Sequence, residues 1–224
     1  MSNHTYLALG DSYTIGEQVL PAENFPNQTV ILLNKTVEGA ESRRQGFAST
    51  LLTVENPDVH YNFAAPQIIA QTGWATDELI AAMDAAHLTN QYDLVSLLIG
   101  VNNQYRGRTV NNFKIEFEHL LQRAIQLAGN NPQRVFVLSI PDWGITPFAE
   151  GRDRKQVADE IDAYNNVCKI SAAAFKTHFI NVTTSQRADG NKTEFLAADG
   201  LHPSGKEYNK WAVKLADIIL KELP

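Results

Sequence analysis

Ser12, Asp199 and His202 are the residues of this chain whose types and spacing could do covalent chemistry. A serine hydroxyl is a weak nucleophile until a base takes its proton, and a histidine serves best as that base when a carboxylate orients it. Asp199 and His202 stand in Ala198-Asp199-Gly200-Leu201-His202-Pro203, with a glycine between them and a proline fixing the exit. That spacing suits a tight turn in which the carboxylate bonds one imidazole nitrogen and the other faces a serine. Ser12 follows Leu7-Ala8-Leu9-Gly10-Asp11, an apolar run that stops at a turn-forming triplet. Taken singly, each segment is also ordinary turn chemistry, because Asp, Ser, Gly and Pro dominate turns for local hydrogen-bonding reasons. Acyl transfer further needs donors where charge develops on the substrate oxygen, and losing one typically costs about 100-fold to 1000-fold. The backbone amides of Ser12 and Gly73 and the side-chain amide of Asn102 are the candidates.

These residues need a scaffold that brings both ends of the chain together. Residues 6–9 read as a short buried strand, with Gly10 letting the backbone bend as it leaves the sheet. Further strands are expected at 67–70, running to Gly73, at 94–99 up to Gly100, at 135–140 before Pro141, and at 179–182. Helices are expected at 25–34, with Pro26 tolerated in the first turn, and at 46–52, with an exposed charged excursion at 39–44 between them. Thr76 reads as the N-cap of a helix that buries Leu79, Met83 and Ala86 on one face. Phe113, Phe117, Leu120, Leu121, Ala124 and Leu127 recur at helical spacing over 110–128. A long helix spans 153–176. The last begins at Ser204, which has capping-box spacing to Glu207, and buries Tyr208, Trp211, Leu215, Ile218 and Ile219. Strands alternating with such helices specify right-handed crossovers and an α/β fold: a five-stranded parallel sheet covered on both faces. The loops after the strands then open on one edge, where ligands bind. No repeat or linker interrupts the chain, so residues 1–224 are expected to form one domain.

Gly10-Asp11-Ser12, Gly73, Gly100-x-Asn102 and Asp199-x-x-His202 resemble, in order and rough position, the four blocks of the GDSL or SGNH hydrolases. The resemblance spans nearly the whole chain. It implies a flavodoxin-like three-layer α/β/α sandwich and hydrolysis of esters or thioesters through an acyl-enzyme, without metal or other cofactor. It assigns Ser12 as nucleophile and oxyanion donor, Gly73 and Asn102 as the other donors, His202 as base and Asp199 as its partner. Many relatives read Gly-x-Asn-Asp in the third block where this chain has Asn103, a change expected to act on loop packing or local charge. Tyr13 also replaces the leucine of the family's name motif.

Trp74, Tyr105, Arg106 and Trp143 follow loops placed at the active edge and are candidates to line a substrate pocket. Packing under the loops is the competing role for the tryptophans, and a solvated loop position is the competing role for Arg106. The other histidines, His4, His60, His87, His119 and His178, show no ligand-like clustering, so no metal site is expected. Hydrophobic residues make up 44% of the 224 residues and charged ones 20%, proportions of a globular protein. A net charge of -6 without a basic run argues against nucleic acid or anionic membrane as partner. The substrate is therefore expected to be a small-molecule ester, with the oligomeric state open. Cys168 is the only cysteine and reads as a buried helical residue. No stretch approaches the roughly 20 apolar residues of a membrane span. The first strand starts too early to leave room for a signal peptide, so a cytoplasmic location is expected, with export open if a leader has been removed. Asn-x-Thr at Asn3, Asn27, Asn34, Asn181 and Asn191 would matter only in a eukaryotic secretory pathway.

Two other readings fit the same fold class. A nucleotide- or flavin-binding module would use Ser12, Thr14 and Gly16 as a phosphate-cradling loop. That module lacks Gly-x-Gly-x-x-Gly and a P-loop lysine and leaves Asp199 and His202 idle. A scaffold that keeps the fold without catalysis would be expected to have lost a triad residue, and none is lost.

Overall fold

The computed structural model describes residues 4–35, 61–88 and 91–222. The helix expected at 46–52, the excursion at 39–44, Asn3 and His60 lie outside the described residues. Five strands, β1 (Tyr6–Asp11), β2 (Gln67–Gln71), β3 (Leu94–Leu98), β4 (Val135–Leu138) and β5 (His178–Ile180), form one parallel sheet in the order β2-β1-β3-β4-β5. Every residue of β1, β3 and β4 is buried, as near-continuous apolar strands covered on both faces should be. The helices are α1 (Ser12–Ile15), α2 (Phe25–Lys35), α3 (Thr76–Ala85), α4 (Val101–Tyr105), α5 (Val110–Leu127), α6 (Arg154–Ala174), α7 (Thr183–Asp189) and α8 (Gly205–Glu222). Helix α2 packs on α8, while α5 packs against both α3 and α6. The result is the doubly wound, flavodoxin-like arrangement of a sheet between helical layers.

The apolar stripes explain the layers. All six residues expected on the inner face of α5 are buried, and α8 buries Tyr208, Trp211, Leu215 and Ile219, with Ile218 half-buried. Trp211 is fully enclosed among the rings of Tyr13, Phe25 and Tyr208. Cys168 is buried, and burial pushes its thiol well above the usual range, which suits an inert packing residue.

Several boundaries differ from expectation for identifiable reasons. Strand β1 runs through Gly10 to Asp11, so the glycine serves close approach and not a bend: a Cβ there would overlap Thr14 Oγ1 and the Leu98 carbonyl. Strand β4 stops at Leu138, and the backbone of Ile140 is paired instead by the Asn165 side chain, which accepts its N–H at 2.7 Å and donates to its carbonyl at 2.9 Å. Strand β5 is His178–Ile180, because the Val182 N–H turns to Ser139 Oγ at 2.9 Å. Thr76 is the first residue of α3 and not its cap; Ala75 precedes the helix, and Glu78 Oε2 accepts the Ala75 N–H at 2.7 Å. Ala86 falls just past the end of α3. The capping box expected at Ser204 does not form. Ser204 donates its hydroxyl to the Glu194 carbonyl, while the buried Glu207 accepts the Trp211 indole N–H at 3.0 Å and faces Lys210. Helix α7 has no apolar stripe and is unanticipated.

The strand order reverses between β1 and β3. In open α/β sheets the crevice at the carboxyl ends of two such strands is the place for a ligand.

Candidate active site

Ser12 and Asn102 emerge on either side of that crevice, directly after β1 and β3. Asp11 ends β1 as the N-cap of α1: its Oδ1 accepts the Tyr13 N–H at 3.0 Å and so sets the turn on which Ser12 sits. Glycine at position 10 lets that turn lie close against β3 and Thr14. The Asp11 carboxyl itself is fully buried, which pushes its pKa up to about 7 against the opposing effect of the Tyr13 N–H.

The segment before α8 brings the other two residues in. Asp199 Oδ1 accepts the N–H groups of Leu201 and His202, both at 3.0 Å, and its Oδ2 lies 2.6 Å from His202 Nδ1. Gly200 takes a left-handed φ of +66° inside this turn, a conformation in which a side chain would be strained. The turn is held from outside as well, since the Phe148 N–H donates to the Gly200 carbonyl and Ala197 N–H donates to the His202 carbonyl. His202 Nε2 then lies 3.0 Å from Ser12 Oγ, across 190 positions of sequence. Partial burial works against ionisation of Asp199, but hydrogen bonds from His202 and Leu201 outweigh it and hold the carboxyl below the usual range. An ionised Asp199 accepts from Nδ1–H, which leaves Nε2 free to accept from the serine.

Gly73 lies in the turn that closes after β2. The Trp74 N–H donates to the Gln71 carbonyl, and Gly73 takes φ +86° at the third position, as a type II turn requires. Thr72 donates to Glu17, and Arg106 donates to the Gly73 carbonyl at 2.5 Å, so the turn is fastened from both sides. Asn102 Nδ2 donates to the Trp74 carbonyl at 3.0 Å, which orients the amide while its second hydrogen stays available. Asn103 is fully buried, accepting the Thr76 N–H at 3.1 Å and donating to Thr76 Oγ1 at 2.6 Å. At this position the chain uses its departure from the family pattern to tie α4 to α3.

Ser12, Gly73, Asn102 and His202 together line a cleft of about 180 Å³, walled mainly by Val101, Tyr105, Trp143, Phe148 and Leu201. Tyr105 and Trp143, expected at the rim, line it, their ring centroids 5.4 Å apart. Trp74 and Arg106 do not line it. Trp74 packs against the core, and Arg106 is engaged by Glu78 at 3.0 Å and by Gly73. Trp143 is held in place by its loop: Arg187 of α7 donates to the buried Asp142 at 2.7 Å, and the Trp143 indole donates to Gln104 at 2.8 Å. Phe148 and Leu201 were not singled out by type or spacing. Leu201 lies inside the Asp199–His202 segment and was open to that inference, whereas Phe148 has no sequence signal beyond being an apolar residue between turns. Among the described residues no group of three or more His, Cys, Asp or Glu side chains is placed to hold a metal ion, and no helix is long and apolar enough to cross a membrane.

A serine, a histidine and an aspartate in hydrogen-bonded series at the carboxyl edge of a doubly wound sheet define a serine hydrolase. The family model of GDSL-like lipases and acylhydrolases matches residues 8–210, and the chain belongs to that family: it is a carboxylic ester hydrolase. No curated protein sequence matches it. Among solved structures it is similar to TesA (TM-score 0.67, 19% identity, covering 98% of this chain and 100% of that one). It is also similar to a lipase/acylhydrolase from Enterococcus faecalis (0.66, 20%, 99% and 97%) and to the acetyl xylan esterase AlAXEase (0.62, 16%, 94% and 97%). At these identities the likeness speaks for the fold.

Proposed function

We propose that the chain hydrolyses short-acyl carboxylic esters through an acyl-enzyme on Ser12. The observation that carries this is the single imidazole of His202 bridging Ser12 Oγ at 3.0 Å and Asp199 Oδ2 at 2.6 Å. As Ser12 Oγ attacks the ester carbonyl, its proton passes to His202 Nε2, and Asp199 stabilises the imidazolium that forms. The oxyanion of the tetrahedral intermediate is held by the N–H groups of Ser12 and Gly73 and by Asn102 Nδ2. Ser12 is the first residue of α1, so its N–H has no partner inside the helix. Collapse of the intermediate breaks the bond to the alcohol, which leaves with the proton from His202. Water then attacks the acyl-enzyme, gives a proton to His202, and releases the carboxylic acid and the free serine.

The walls of the cleft set the acyl length. A water-sized group takes about 30 Å³ of space, so about 180 Å³ holds roughly six non-hydrogen atoms. Acetyl to about hexanoyl groups fit against Tyr105, Trp143 and Phe148, and longer chains must leave the cleft. The test is initial-rate hydrolysis of p-nitrophenyl esters from acetate to palmitate, with Ser12→Ala beside the wild type. Turnover should peak at two to six carbons and vanish in the variant. A maximum at long chains would refute the size argument, and turnover surviving in Ser12→Ala would refute the nucleophile.

A further inference from the structure

The residues that α7 buries are Thr183 and Gln186, both polar, so hydrophobic burial does not account for its place beside the sheet. Its inward side chains converge instead on one residue of the loop after β4. Gln186 brackets the Asp142 backbone: Oε1 accepts the Asp142 N–H at 3.1 Å, and Nε2 donates to the Asp142 carbonyl at 3.3 Å. Arg187 takes the side chain. Its Nε donates to Asp142 Oδ2 at 2.7 Å, while the rest of the guanidinium reaches α6, pairing with Asp162 Oδ1 at 2.8 Å and donating to the Ala158 carbonyl at 3.2 Å. The other carboxylate oxygen, Oδ1, accepts the Gly144 N–H at 2.8 Å. Asp142 is thus held at its backbone and at both carboxylate oxygens, although it does not itself line the Ser12 cleft. Among the described residues no other cation pairs with it.

What this clamp fixes is Trp143, the residue between Asp142 and Gly144. Trp143 is buried, whereas Tyr105 and Phe148, its neighbours in the cleft wall, are 48% and 46% exposed. Both meet it edge-on, with ring centroids 5.4 and 5.9 Å away. The indole N–H donates to Gln104, which donates in turn to Glu160 at 2.6 Å. Ring and backbone of Trp143 are therefore tied to one stretch of α6, residues 158–162. A buried ion pair is a poor source of stability, because desolvating both charges costs about what the pairing returns, and apolar groups of similar volume often do as well. What the planar fork of Arg187 supplies is fixed geometry among three acceptors. An acyl chain longer than the cleft must either turn out through its mouth or push Trp143 aside, and the second course works against every bond of the clamp.

We propose that Arg187, together with Gln186, is a positioning residue that sets the acyl-length limit of the enzyme, by holding Asp142 and through it Trp143 as the fixed wall of the Ser12 cleft. The inference rests on the ester-hydrolase reading of that cleft. Two variants test it, Arg187→Ala and Asp142→Asn/Arg187→Met. The second removes both charges and keeps an acceptor for the Gly144 N–H, so it folds even if an unpaired buried carboxylate unfolds the first. kcat and KM are measured on p-nitrophenyl acetate, hexanoate and decanoate. The wild type should favour hexanoate over decanoate in kcat/KM by about tenfold or more. Both variants should narrow that ratio by at least about fivefold, through a lower KM for decanoate, while kcat on acetate, whose acyl group is too short to press on the wall, stays within about twofold of wild type. With fluorotryptophan at the three tryptophans, the fluorine resonance of Trp143, assigned from Trp143→Phe, should shift or broaden in both variants and those of Trp74 and Trp211 should stay in place. An unchanged hexanoate-to-decanoate ratio in a folded variant overturns the proposal. So does a wild type without that preference, an equal loss on all three esters, which a merely structural role would give, or a Trp143 resonance that does not move. No hydrolysis of any ester by the wild type, or turnover surviving in Ser12→Ala, refutes instead the underlying reading.

Discussion

Replacing Asp11 by Asn should stabilise the enzyme more at alkaline pH than at pH 5. Asp11 is wholly buried; Oδ1 is bonded to the Tyr13 N–H, and Oδ2 has no hydrogen-bond partner among the described residues. Burial raises its pKa to about 7 in the folded protein, against about 3.9 in an unfolded chain. Between those values the native state holds a proton that the unfolded chain has released, so stability falls as pH rises, and the loss is complete above the folded pKa. At about 1.36 kcal/mol per unit over about three units, the ceiling is about 4 kcal/mol; water reaching the site and local relaxation bring the working value to about 2–3 kcal/mol. Asparagine keeps the cap on Tyr13, because Asn and Asp are near equals at N-cap positions, and it carries no charge to desolvate. For a chain of this size 1 kcal/mol corresponds to about 2–4 °C in Tm. Only about two of those three units fall between pH 5 and pH 8, about 1.3–2 kcal/mol, so the difference in Tm between Asp11→Asn and wild type should grow by about 3–8 °C over that range, measured by thermal unfolding of both proteins in the same buffers. A difference independent of pH across that range would refute the argument, because it would mean that the buried carboxyl titrates alike in the folded and unfolded states.

Two further outcomes bear on the site and its support. Asn102→Ala should lower kcat on p-nitrophenyl acetate by about 100-fold to 1000-fold with KM little changed, as expected for a donor used mainly in the transition state; a loss below tenfold would remove Asn102 from the oxyanion hole. Gly10→Ala should cost about 1–3 kcal/mol in denaturant unfolding, and adding Thr14→Ala should restore only part of it, because the Leu98 carbonyl still blocks the new methyl.

What was legible in the sequence was whatever repeats with the period of a helix or stands as a continuous apolar strand. The stripe of α5, the buried run of β3 and the Asp199–His202 spacing are local patterns, and the structure places all of them as expected. The misplaced features are those decided by a partner far along the chain. Ser204 and Glu207 have the spacing of a capping box, but a buried Trp211 indole needs an acceptor, and Glu207 supplies it. Thr76 has the chemistry of an N-cap, but Asn103 and Glu116 take its polar atoms. Helix α7 has no apolar period because it is anchored by Arg187 and Gln186 to the backbone and carboxylate of Asp142. Trp74 and Arg106 were sensible rim candidates by position. Which side of the Gly73 turn they occupy depends on Glu78 and the core, which no local spacing encodes.

The nucleophile stands at the twelfth residue and its base 190 positions later, while the strand that carries the nucleophile lies between β2 and β3. During synthesis Ser12 leaves the ribosome 190 residues ahead of His202. Helices α2 and α8, which meet through Gln28 and Asn209, close this span. Esterase turnover is thus a reporter of long-range closure: a nascent polypeptide stalled before Asp199 carries the serine but no base, and recovery of activity after denaturation must wait for a contact across 190 positions.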